Sequence, residues 1–69
     1  MLETANREIA VHDGITVKRL SERLGVKPIL VIKRLLDRGI FARLEHRLDE
    51  QLACEVVRDF GGSPRIEPL

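Results

Sequence analysis

The stretch "ITVKRLSERLGVKPILVIKRLLDRGI", residues 15–40, reads as two short helices about a Gly-Val turn, the one-dimensional pattern of a helix-turn-helix. Thr16 is a good N-cap, and Ile15 and Leu20 stand at the spacing of a hydrophobic staple across it. Val17, Leu20 and Leu24 then share one helical face, leaving Lys18, Arg19, Glu22 and Arg23 outside. Gly25 supplies the left-handed conformation that ends a helix, and Val26 can fold back on the last turn. Such a helix, about nine residues long, does not persist unless it is packed. Pro28 suits the first position of a second helix, where its missing N–H would be unpaired anyway. Val31, Ile32, Leu35 and Leu36 form the inward stripe of that helix, Gly39 stops it, and Ile40 repeats the part of Val26.

Outward from this pair the pattern changes. Residues 1–6, "MLETAN", carry no periodicity and read as a disordered leader. "REIAVH" alternates, with Ile9 and Val11 on one face, and predicts a strand ended at the Asp13-Gly14 turn. "IFARLEH" alternates through Ile40, Ala42 and Leu44 and predicts a second strand. Asp49 caps a third helix with Leu52, Ala53, Val56 and Phe60 inward, closed by Gly61-Gly62. In "SPRIEPL", residues 63–69, Ile66 between two prolines permits only an edge strand or a tail acting as linker. Helices are thus expected near 16–24, 28–38 and 49–60, in the order β-α-α-β-α-β. The fold class is α+β: a single domain over residues 7–69, with a small sheet carrying helices on one face.

Length and composition narrow the function classes. A chain of 69 residues holds one domain, and at that size only about 60% of the unfolded surface is buried, so the core is thin. Cys54 is the single cysteine, which excludes a disulfide framework and points to a reducing, cytoplasmic setting. No apolar run of membrane length and no signal-peptide core is present, so no membrane partner is expected. His12, His46 and Cys54 stand at no metal-site spacing, and Cys54 falls at the edge of an apolar stripe. There is no phosphate loop of the G-x-x-x-x-G-K type; catalytic residues, metal and cofactors are therefore expected to be none. Net charge is only +1, but it is segregated: residues 14–47 hold nine Lys or Arg against Glu22, Asp37 and Glu45. The flanks are acidic. A basic centre of this kind attracts polyanions, while a solvated face is the plainer reading of the same charges.

A sequence-specific DNA reader would need base-pairing side chains on the outer positions of its second helix. Those positions hold Ile29, Leu30 and Lys33. Ile and Leu offer base edges only methyl contact, and Lys33 and Arg34 suit phosphates, which position without specifying. Single-strand stacking is equally unsupported, since Phe41 and Phe60 are the only rings of their type and Phe60 belongs to the expected core. The cations left for phosphate contact are Lys18, Arg19, Arg23, Lys27, Lys33, Arg34 and Arg38, with Ile29 and Leu30 as a possible interaction patch.

From Arg7 to Gly61 the chain resembles the small N-terminal domain repeated ahead of the GTPase core in bacterial translation initiation factor two. The marks are "EIAV", "GITVKRLSERLGVKP", "VIKRLLDRGI", "LDEQLA" and the closing "FG", and the continuation through "RGIFARLEHRLDE" separates this family from ordinary helix-turn-helix proteins. The resemblance implies three helices against a three-stranded antiparallel sheet. It also implies an auxiliary, monomeric role: helping a GTPase factor, whose catalytic domains lie downstream in the same chain, to hold the small ribosomal subunit. Where the family commonly has a polar or acidic pair after "KP", this chain has Ile29-Leu30. A helix-turn-helix DNA-binding module and a protein-interaction or spacer domain are the alternatives.

Overall fold

The computed structural model describes residues 8–68, so the expected leader at residues 1–6 lies outside the described residues. The elements run β1 (Glu8–Val11), β2 (Ile15–Thr16), α1 (Val17–Leu24), α2 (Pro28–Asp37), β3 (Arg47–Leu48), α3 (Glu50–Asp59) and β4 (Ser63–Ile66). The three helices form between the stop and start signals the sequence carries. Thr16 Oγ1 accepts from the Arg19 amide at 3.1 Å, and Asp49 Oδ1 accepts from the Leu52 amide at 2.7 Å. Gly25 closes α1 in the left-handed region (φ +74°), where the Val26 amide returns to the Ser21 carbonyl at 3.1 Å.

The sheet differs from the expectation. Instead of one three-stranded antiparallel sheet there are two ribbons: β1 with β4, parallel, and β2 with β3, antiparallel. The chain order accordingly gains a strand, β-β-α-α-β-α-β. β1 and β4 pair in parallel because all three helices intervene, which gives the long crossover that parallel neighbours require. Pro64 is accommodated by parity. The Glu67 amide donates to the Val11 carbonyl at 2.7 Å, so the backbone position three residues earlier faces away from β1, where a missing N–H costs no ladder bond.

The strand expected across residues 40–46 does not form, because its backbone serves α1 instead. The carbonyls of His46 and Leu44 accept from the first amides of that helix, Val17 and Lys18, at 3.0 and 3.1 Å, and the His46 amide closes a turn onto the Arg43 carbonyl. Extended pairing begins only at Arg47-Leu48, opposite Thr16 and Ile15. Thr16 therefore ends a strand and caps a helix at once.

The core joins Ile9 and Val11 of β1, Ile15, Val17, Leu20 and Leu24 of the β2–α1 segment, Val31 and Leu35 of α2, Leu48 of β3, and Ala53, Val56 and Val57 of α3. Ser21 is the buried polar side chain among them, and its hydroxyl donates to the Lys18 carbonyl at 2.7 Å. Leu36, expected inside, is 48% exposed, because the buried face of α2 is centred on Val31 and Leu35 and Leu36 turns about 100° past Leu35. Phe60 is half-buried at the end of α3 rather than enclosed.

Candidate nucleic-acid interface

The cations of the helix pair line separate hollows. Arg19 and Arg23 of α1 line a groove with His12, Gly14, Thr16 and Arg47, whereas Lys33 and Arg34 of α2 line another with Leu30, Asp37 and Phe60. Lys18 borders a third hollow beside Thr16, Leu44 and Glu45. Lys27 stands exposed at the N-cap of α2, where its side chain makes no capping bond.

The expected cations also differ in how far they are already engaged. Arg38 forms a fork, one Nη at 2.7 Å from Glu55 Oε1 and the other at 2.6 Å from Asp59 Oδ2. The hydrogen bond to Asp59 is the main reason its pKa is raised, burial opposing and the charges of Asp59 and Glu55 adding. Both acids belong to α3, so Arg38 ties the end of α2 to that helix and has little left for an outside anion. Arg23 is engaged likewise: its Nη1 donates to the Ala10 carbonyl at 2.9 Å and to Glu67 Oε1 at 3.0 Å. That hydrogen bond, followed by the charge of Arg23, holds the Glu67 carboxyl below its usual range. Arg19 meets Glu22 only at 3.8 Å on an exposed surface, a contact worth little.

Lys18, Lys27, Lys33, Arg34 and Arg47 make no ion pair among the described residues and are exposed. The guanidinium of Arg34 lies over the Phe60 ring, 5.7 Å from its centroid, which orients it while leaving its charge open. Leu30, 44% exposed, completes the wall beside that ring, while Ile29, 55% exposed, stands outside the groove lining. Arg47 and His12 are groove residues that did not stand among the expected phosphate contacts. Their signal was long-range: Arg47 reaches α1 only because β3 pairs with β2, and no local pattern carries that register.

The exposed guanidinium and ammonium groups are of the chemistry that pairs with anions. Among the described residues no three His, Cys, Asp or Glu side chains are grouped to hold a metal ion, and no helix is long and apolar enough to cross a membrane. Burial pushes the Cys54 thiol above its usual range, with the charge of Arg58 opposing.

The chain matches the family described as translation initiation factor IF-2, N-terminal region, over residues 12–63. It is similar to translation initiation factor IF-2 of Solibacter usitatus, 59% identical over 58 residues, which covers 84% of this chain and 6% of that protein. Likeness to the same factor of Koribacter versatilis is 44% over 60 residues, and to that of Acidobacterium capsulatum 42% over 60, each 87% of this chain and 6% of the relative. The chain thus spans about 6% of the length of these curated relatives.

Proposed function

Because the chain belongs to the family of N-terminal regions of translation initiation factor IF-2, a non-catalytic part of that factor, we propose that it is an auxiliary domain that helps a cytoplasmic bacterial initiation factor, a GTPase through its downstream domains, to hold the small ribosomal subunit. The observation that carries this reading is the set of exposed, uncommitted cations on the helix pair, Lys18, Lys27, Lys33 and Arg34 above all. Their natural ligands are rRNA phosphates, which neutralise charge without requiring a base-reading side chain. Arg19 adds to the set. Arg23 and Arg38 act within the fold, as their carboxylate partners support.

Engaging three or four phosphates gives a log–log salt slope of roughly −2 to −4. The test is co-sedimentation of the chain with small subunits across a salt series, comparing the wild type with the Lys33→Glu/Arg34→Glu variant. Reversal should abolish most of the binding and flatten the slope; unchanged binding would make these charges a solvated face only. A helix-turn-helix DNA reading is disfavoured by Ile29 and Leu30 on the outer side of α2, and DNA duplexes of different sequence should bind indistinguishably. Strong preference for one duplex would reverse that order. One observation favours a protein contact as a second reading: Leu30 and Phe60 give the α2 groove an apolar wall. In that case Leu30→Asp weakens subunit binding while leaving its salt slope intact.

A further inference from the structure

Away from the α2 cations, the end of β1, the start of α1 and the β2–β3 ribbon enclose an open groove of about 320 Å³, walled by His12, Gly14, Thr16, Arg19, Arg23 and Arg47. We propose that this groove seats a backbone phosphate of RNA, with Arg47 and Arg19 as the donors. The inference rests on the ribosomal reading above and adds a site that lies partly outside the helix pair.

The backbone of α1 is not what would hold the anion. Its first amides are already satisfied by the His46 and Leu44 carbonyls, and the Arg19 amide by the Thr16 hydroxyl. Guanidinium groups must therefore supply the hydrogen bonds, and their planar forks match a phosphate's paired oxygens. Arg47 has no acidic partner among the described residues. Its Nη1 lies 3.9 Å from where a Cβ on Gly14 would stand, an ordinary contact distance that puts the guanidinium beside the groove wall. Arg19 gives up only its Nε to the long contact with Glu22, leaving both Nη groups for a ligand. Arg23 is held by the Ala10 carbonyl and by Glu67, which balances its charge, so the two free donors are Arg47 and Arg19.

The experiment is a ¹H–¹⁵N shift titration of the 69-residue chain with single-stranded decauridylate, run beside the subunit co-sedimentation. The amides of Gly14, Thr16 and Arg47 should shift saturably. Arg47→Gln and Arg19→Gln should each weaken binding about fivefold or more and lower the salt slope by about 0.7. Lys33→Gln/Arg34→Gln should leave those groove shifts in place. Two exposed positions are used so that misfolding of one variant does not decide the result. Wild-type affinity in both groove variants, or shifts confined to α2, overturns the seat. Subunit binding lost on reversal of Lys33 and Arg34 but kept in both groove variants also removes the seat while sparing the ribosomal reading. Groove shifts in a chain that does not sediment with subunits keep the seat and remove that reading.

Discussion

Gly39 sits at the end of α2 with φ +84°, and a Cβ added there would meet no heavy atom within 4 Å. Substitution at this position therefore isolates backbone conformation from packing. Gly39→Ala should cost about 1–2 kcal/mol through the left-handed region alone, and Gly39→Asn distinctly less, since Asn tolerates that region. Urea midpoints of the two variants at equal m-value measure the difference; equal costs would mean that φ is not the cause. The Arg23–Glu67 pair gives a pH-dependent counterpart. The folded-state pKa of Glu67 is lowered, chiefly by the hydrogen bond from Arg23, so the stabilisation is complete above the ordinary carboxylate range. It is lost as pH falls through the lowered folded value. Both partners are partly solvated, so the effect is small. Melting temperature followed from pH 7 downward should fall less steeply in Glu67→Gln than in the wild type, and parallel curves would remove this pair from the acid response.

At the scale of elements, α2 shows how narrow the buried face is. Leu35 is fully buried and Leu36 beside it is 48% exposed, though both are leucines of one helix. Leu35→Ala should cost about 2–5 kcal/mol, a large share of the roughly 3–10 kcal/mol expected of a chain this size. Leu36→Ala should stay within about 1 kcal/mol, since so much of that side chain remains in water. Thermal melts of the two variants compare these directly, and similar losses would mean that the helix is rotated from the position described. Helices were legible in the sequence because their signals are local: Thr16, Asp49, Gly25 and Gly39 each act on amides or carbonyls within a few residues. Of the strands, β1 was legible from the alternation of Ile9 and Val11 and β4 as an edge strand, but how they pair was not, because pairing joins positions far apart. Ile40, Ala42 and Leu44 alternate as a strand should, yet the carbonyls of this segment are drawn to the start of α1. The two-residue β2 hid inside a helix cap. The candidate site was legible to the same extent: the cations stood out by composition, but not that Arg23 and Arg38 are bound to acids from β-ribbon and helix neighbours, nor that Arg47 joins Arg19.

For the whole molecule, the β1–β4 pairing decides whether there is a domain at all. It joins Glu8 to Ser63, closing a loop of about 55 residues, and the length-dependent part of that closure costs roughly 3–4 kcal/mol. A two-stranded ribbon does not offset this by itself. What offsets it is burial: β1 contributes Ile9 and Val11 to the core, both essentially inaccessible, and β4 covers the edge of β1. Arg23 then fastens the closed ends, reaching the Ala10 carbonyl on β1 and Glu67 just beyond β4. Removing residues 63–69 should therefore do more than delete a tail. β1 would lose its only ladder partner among the described residues, and the closure would no longer be repaid by packing. The shortened chain should show helical circular dichroism of reduced intensity and no cooperative thermal transition. A chain ended after Ile66, which keeps the ribbon but loses the Glu67 contacts, should still melt cooperatively at a lower temperature. If instead the chain ended at Gly62 melts as sharply as the full one, β4 is a passive strand and the helices alone define the domain.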